Sequence, residues 1–299
     1  MPQMCNTPTS MTVEDCRRFY AEEVQLLAGF TNPALYHAFA TVKRENFLGP
    51  GPWEVGTSDM STGAVRYVTT KDADPCRVYH NVPIALDKSR DLNNGQPASV
   101  GYWINNLDLQ PGDRVFHLGC GVGYFTAIMA EAASRNGHVA AIEVDGVLAE
   151  RAEKNLSPWP NVRVHAGDGG KFDPGECDAI FVNAGVTHPL PLWLDRLAPG
   201  GRIVLPLTVP MVSNLGKGLM VRIARETNGY SAKFIGYTAI YTCTSVRDPQ
   251  IEPLLLKAMS TGTMMRIKAL RRDQHEAAET CSVHAADFCL SMADLPATS

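Results

Sequence analysis

The feature that most constrains this chain is a glycine-punctuated joint between a buried strand and a helix, Val115-Phe116-His117-Leu118-Gly119-Cys120-Gly121-Val122-Gly123-Tyr124. Apolar residues predict a strand over Arg114 to Leu118, and helical spacing resumes from Tyr124 to Ser134. Glycines at 119, 121 and 123 allow a tight turn and let a ligand approach the main chain without meeting a Cβ. In the dinucleotide fingerprint Gly-x-Gly-x-x-Gly the third glycine falls one residue later, where this chain has Tyr124. A pyrophosphate needs the helix N-terminus presented to it. The shorter turn suits a ligand without phosphate and disfavours a nicotinamide dehydrogenase.

The alternation continues along the chain. Strand His138 to Glu143, helix Val147 to Leu156, strands Val162 to His165 and Asp178 to Val182, a helix near Leu190 to Leu197 and strand Arg202 to Leu205 follow in turn. Such alternation predicts a doubly wound, mainly parallel sheet. Leu219 to Ala224 and Lys233 to Tyr241 flank Thr227-Asn228-Gly229 and read as a hairpin. The expected fold class is therefore α/β: a Rossmann-like seven-stranded sheet, mainly parallel with an antiparallel hairpin, carrying an N-terminal helical extension and a C-terminal extension.

Ahead of the sheet, the first ten residues read as disordered, Val13 to Ala28 as a helix, and Asn32-Pro33 opens a second helix stopped by Gly49-Pro50-Gly51-Pro52. From there to Asp91 the chain reads as loop, and a helix through Val100, Ile104 and Leu107 precedes the sheet. The segment after the hairpin reads as a helix and a tail. Within it Met264 to Arg272, whose Arg266, Lys268, Arg271 and Arg272 are followed by Asp273, Glu276 and Glu279, reads as a solvated helix face.

With 45% apolar and 19% charged residues and a net charge of -4, the chain can bury a sizeable core. No basic stretch is dense enough to track a phosphate backbone, so no nucleic-acid partner is expected. No apolar run approaches the roughly 20 residues of a membrane span, and the start lacks a leader pattern, so a cytoplasmic enzyme is expected. Eight cysteines, at 5, 16, 76, 120, 177, 243, 281 and 289, form no Cys-x-x-Cys pair. Their scatter argues against a zinc site and a disulfide framework and for a reducing compartment; no metal is expected.

Two acidic residues extend the glycine turn into a constellation. Glu143 ends the second strand, about 20 residues beyond the glycines, where a carboxylate can accept hydrogen bonds from both ribose hydroxyls. Asp168, in Gly167-Asp168-Gly169, follows the third strand and can accept an adenine exocyclic N–H. Either alone reads equally well as a helix cap or turn carboxylate. Three such features at the ends of three successive strands favour a nucleoside-bearing ligand.

With these residues in place the chain resembles class I methyltransferases, and among them the protein-L-isoaspartate O-methyltransferase family. The similar segments are Val42-Lys43-Arg44-Glu45-Asn46-Phe47, Gln96-Pro97, Leu109-Gln110-Pro111-Gly112-Asp113-Arg114-Val115, Ala141-Ile142-Glu143-Val144-Asp145 with Leu148-Ala149-Glu150-Arg151-Ala152, Gly167-Asp168-Gly169 and Leu197-Ala198-Pro199-Gly200-Gly201-Arg202. The resemblance implies that Gly119, Gly121, Glu143 and Asp168 bind S-adenosyl-L-methionine, with Cys120, Gly123, Val144, Gly167 and Gly169 completing the set. It suggests three parts: an acceptor-side region 1–96, a cofactor-binding domain 97–245 and an extension 246–299.

The acceptor side departs from the family. Where the repair enzymes have Thr-Ile-Ser-Gln-Pro, with a serine close to the substrate carboxylate, this chain has Asn93-Asn94-Gly95-Gln96-Pro97. The loop Ile84 to Asn94 is also different, and Asn183-Ala184-Gly185-Val186-Thr187-His188-Pro189 brings a histidine after the fourth strand. A carboxylate acceptor is already ionised, whereas a phenol, amine or carbon acceptor profits from a base. His188 suits that role, with Tyr79, His80 and Asn183 as further catalytic candidates; a loop histidine with no chemistry is the alternative. Trp103 and Trp193 read as core.

The leading expectation is a methyltransferase retooled for a small-molecule acceptor of specialised metabolism, such as an indole, or for a modified peptide. The alternatives are isoaspartyl protein repair and, in another class, a non-catalytic cofactor-binding adaptor. The apolar residues of the tail (Leu254, Leu255, Leu256, Phe288, Leu290) predict packing over the active site, against a second copy in a homodimer, or elsewhere.

Overall fold

The computed structural model describes residues 11–58, 65–212 and 214–295. The ten N-terminal residues that read as disordered lie outside them. The chain forms two compact units, Met1–Gly101 and Tyr102–Ser299.

In the first unit α1 (Val13–Ala28) starts at a capping box between Thr12 and Asp15 and stops at Gly29, whose φ of 66° lets the chain turn left-handed. α2 (Pro33–Thr41) is capped by Asn32. Tyr20, Phe30, Phe39 and Phe47 fill the core between them. The stretch read as loop contains two small antiparallel pairs, β1 (Glu54–Ser58) with β2 (Val65–Thr69), and β3 (Ala85–Asp87) with β4 (Leu92–Asn93). Cys16 and Cys76 form a disulfide, correcting the inference from cysteine scatter. The count therefore no longer argues for a reducing compartment.

α3 (Pro97–Asn105) leads into the second unit, followed by β5 (Arg114–Leu118), α4 (Tyr124–Ala132), β6 (His138–Glu143), α5 (Gly146–Leu156), β7 (Val162–Ala166), β8 (Cys177–Val182), α6 (Pro191–Arg196) and β9 (Leu197–Val212). β10 (Leu215–Glu226) and β11 (Gly229–Tyr241) form the expected hairpin. Then come α7 (Glu252–Ser260), β12 (Ala269–Arg271), β13 (Cys281–His284) and β14 (Cys289–Ser291).

Among the described residues the sheet has ten strands in the order β13-β14-β12-β11-β10-β9-β8-β5-β6-β7. β7, β6, β5, β8 and β9 run parallel and the remaining pairings are antiparallel. The seven strands expected are thus extended by three from the C-terminal segment. Met264 to Arg272 is not a helix face: it holds a single 3₁₀ turn, Thr263–Arg266, and β12, whose Ala269 and Leu270 are buried. Basic residues there masked a strand too short to show a period.

α4 is buried on nearly every side, which an apolar helix requires. Trp193 is fully buried and Trp103 nearly so. At the end of the sheet opposite the glycine turn, the buried Arg202 pairs with Asp113 at 2.6 Å and donates to the carbonyls of Leu107 and Asp108. It ties the turn before β5 to β9. Among the described residues no helix is long and apolar enough to cross a membrane.

Candidate active site

Chain order in the sheet reverses at β5: β6 and β7 lie to one side, β8 and β9 to the other. The crevice outside the carboxyl ends of strands at such a switch point is where open α/β sheets take ligands. The two strand ends are joined there. The Asn183 N–H donates to Leu118 O at 2.8 Å and its side-chain amide to Gly119 O at 3.3 Å.

The glycines of the turn are required by geometry. Gly119 has φ 78° and a Cβ there would stand 3.1 Å from the Asn183 carbonyl oxygen. Gly123 has φ 93° and its Cβ would meet Leu156 Cδ1 at 2.7 Å. Both positions combine a left-handed conformation with close packing.

Glu143 is 8% exposed at the end of β6. Its Oε2 accepts the Gly121 N–H at 2.8 Å and its Oε1 the Asp145 N–H at 3.1 Å. Each carboxylate oxygen can accept two hydrogen bonds, so capacity remains for a pair of hydroxyls. Val144, beside it, is 54% exposed, an apolar surface next to a carboxylate and suited to a flat ring. Cys120 is buried, and burial together with the Glu143 charge pushes its thiol well above its ordinary value. It is therefore an inert wall rather than a nucleophile.

Asp168 Oδ1 accepts the Gly170 N–H at 2.9 Å and the Ser245 hydroxyl. Burial works to raise this carboxyl, but those two bonds and Lys171 outweigh it and hold it below the usual range. Gly169 lets the loop lie against the end of β5, since a Cβ there would meet Leu118 Cδ1 at 2.6 Å. Gly167 has φ 150°. Ser245 was not anticipated. It arrives because the chain after β11 pairs with the turn after β8, through Gly185 N–H to Tyr241 O at 2.7 Å and Cys243 N–H to Gly185 O at 2.8 Å, a long-range pairing with no local sequence signal.

The structure thus gathers Gly119, Cys120, Gly121, Glu143 and Asn183 around the switch point, with Asp168 on the next strand end. The other catalytic candidates have different surroundings. Tyr79, in the first unit, is buried; its hydroxyl accepts from Arg17 Nε at 2.9 Å and the Arg44 N–H at 3.2 Å and donates to Glu45. Burial, with Glu45 close by, drives this phenol far above its ordinary value. His80 has an exposed side chain, and its carbonyl is one of three, with Val78 and Val82, that accept from the buried Arg44 guanidinium.

His188 is half-buried, its Nδ1 lies 2.8 Å from Thr187 Oγ1, and its ring stacks on Phe288 at 6.4 Å. It lines a cavity of about 400 Å³ with Leu194, Asp248, Leu254 and the loop that carries Phe288. None of the cofactor candidates lines that cavity. Burial holds the imidazole below its ordinary value, against the pull of Asp248 and Asp287. Gly95 has φ 79°, and its N–H donates to Asn93 Oδ1 at 2.9 Å. The backbone there has turned to a conformation that a serine rarely adopts.

The family model described as Protein-L-isoaspartate(D-aspartate) O-methyltransferase (PCMT) matches residues 60–244. A protein-L-isoaspartate O-methyltransferase of Ignicoccus hospitalis is 32% identical over 159 residues, covering 52% of this chain and 72% of that protein. Protein-L-isoaspartate O-methyltransferase 2 of Archaeoglobus fulgidus is 31% identical over 189 residues, 61% of this chain and 84% of that one. In fold, the chain is similar to a putative protein-L-isoaspartate O-methyltransferase from Plasmodium falciparum solved with S-adenosyl-L-homocysteine, with a TM-score of 0.57 at 16% identity over 76% of this chain and 98% of that one. A glycine turn at the switch point, flanked by two anchored carboxylates, fits this match, and the chain belongs to the protein-L-isoaspartate O-methyltransferase family of S-adenosylmethionine-dependent methyltransferases.

Proposed function

We propose that the chain esterifies a carboxylate of a peptide, of the isoaspartyl kind for which its relatives are named. The observation that carries this reading is the state of Tyr79 and His188, two of the candidate bases. Tyr79 is held protonated and fully engaged, and His188 stands in a cavity apart from the cofactor candidates. A carboxylate acceptor, with an ordinary pKa near 4, needs no base at pH 7.

In this reading Glu143 holds the ribose hydroxyls of S-adenosylmethionine, Asp168 its adenine amine and Val144 the ring face, while Gly119 and Gly121 leave the main chain open to it. When bound, S-adenosylmethionine supplies an electrophilic sulfonium methyl group. The protein then contributes chiefly alignment, worth several kcal/mol in reactions that only need two groups held in line.

A second reading, a small aromatic acceptor such as an indole, draws on Gly95 in the place of the family's serine and on the altered loop Ile84 to Asn94. Mass spectrometry of methyl transfer, offering an isoaspartyl peptide, its aspartyl isomer and a panel of indoles, phenols and amines, tests both. The expected product is an alkali-labile methyl ester on the isoaspartyl peptide. An alkali-stable methyl group on an aromatic, with both peptides untouched, would replace the first reading with the second.

A further inference from the structure

Four metal-ligating side chains converge in the C-terminal strands, outside the cofactor loops. Cys281 and His284 lie on β13, Cys289 on β14 and His275 in the loop between β12 and β13. One ligand atom from each lies within 4.8 Å of all the others. In a regular strand Cys281 and His284 would face opposite sides. The register shift between Cys281 and Val283 brings them together, and His284 pairs directly with Cys289 across the ladder.

The surroundings are arranged as around a metal. His275 Nδ1 lies 2.9 Å from the Asp273 carbonyl oxygen, which leaves Nε2 to point at Cys281 Sγ, 3.6 Å away. A ligand histidine typically has its second nitrogen fixed in this way. The Ala278 N–H donates to Cys281 Sγ at 3.3 Å. His284 Nδ1 is closed off from solvent and has no hydrogen-bond partner among the described residues, a cost that a bound cation would remove. The two sulfurs are not joined in a disulfide.

We propose that His275, Cys281, His284 and Cys289 bind one zinc ion as a closed structural site. Two thiolates and two imidazoles select zinc over magnesium or calcium, and four protein ligands leave no open position for chemistry. Zinc–ligand bonds of about 2.0–2.3 Å place tetrahedral ligand atoms roughly 3.3–3.8 Å apart, so the cluster needs only small side-chain adjustments to close. Each cysteine binds as the thiolate and releases its proton. The ion fastens β13 to β14 and fixes the connecting loop, whose Phe288 stacks on His188.

The test is metal analysis of the full chain produced with zinc and dialysed into metal-free buffer. About one zinc per chain is expected, falling below about 0.2 in the Cys281→Ser/Cys289→Ser double variant and unchanged in Cys243→Ser, a buried cysteine outside the cluster. Cobalt(II) titration of the stripped, unaltered protein gives an independent readout should the double variant not fold: intense visible bands with thiolate charge transfer are expected. No zinc together with no thiolate–cobalt spectrum, full zinc retention by the folded double variant, or a Cys281–Cys289 disulfide in the non-reduced peptide map would each overturn the proposal.

Discussion

The Arg44–Tyr79 network of the first unit is largely buried and the strand-end loops of the second are only partly so, and they use their polarity in opposite ways. Arg44, Arg17, Tyr79 and Glu45 are spent on one another and on the carbonyls of Val78, His80 and Val82. Glu143 and Asp168 are anchored just enough to be fixed, by main-chain N–H groups and Ser245, and keep lone pairs uncommitted. Polarity spent within a network builds a scaffold, whereas lone pairs left over on an anchored carboxylate are open to a ligand.

That contrast can be broken most decisively at Glu143. Glu143→Ala is expected to weaken S-adenosylmethionine binding about 100-fold, the loss of hydrogen bonds to a charged group, measured by calorimetry. A change below about threefold would put Glu143 with the scaffold. His117 supplies the next test, as a buried polar group away from the carboxylates: it is fully buried behind the glycine turn, bonded through Nδ1 to Thr126 at 2.9 Å while Nε2 has no hydrogen-bond partner among the described residues, and burial lowers its pKa to about 3 from 6.5. Below pH 6.5 the unfolded chain therefore takes up a proton that the folded chain refuses, so stability falls with pH from about 6.5 towards 3. Urea unfolding should lose about 2 kcal/mol between pH 7 and 5 from this group, and His117→Phe should flatten that slope.

On the scaffold side, Tyr79→Phe is expected to cost about 1.5 kcal/mol of unfolding free energy while leaving kcat within about twofold. A collapse of kcat at unchanged stability would instead make the phenol part of the chemistry. The smallest effect is expected at His188. His188→Ala should leave turnover of a carboxylate acceptor within about threefold, whereas a loss of about 100-fold would identify a base and favour the aromatic acceptor.

The centre of the parallel half was legible because β5, β6 and β8 are buried on both faces and read as apolar runs. Arg114 to Leu118 and His138 to Glu143 are observed with the bounds expected from sequence. β9 was cut short to Arg202 to Leu205 because Pro199, Gly200, Gly201, Pro206 and Pro210 read as breakers, yet the strand runs from Leu197 to Val212. β12, β13 and β14, of three or four residues each, are too short to carry a period. Spacing rules look for nearby pairs. They therefore missed the disulfide between residues 60 apart and a histidine–cysteine cluster assembled by a bulged hairpin. Glu143 and Asp168 could be found because a strand end fixes position locally; Ser245 could not, because tertiary pairing delivers it.

β14 is the last described strand along the chain but not the last across the sheet: it fills the place between β12 and β13. A chain stopped after Asp287 would lose the middle of this section rather than its margin, leaving β13 with no partner in the sheet. During synthesis the same order applies, and β13 must wait, unpaired and exposed, until the residues that will lie beside it have left the ribosome.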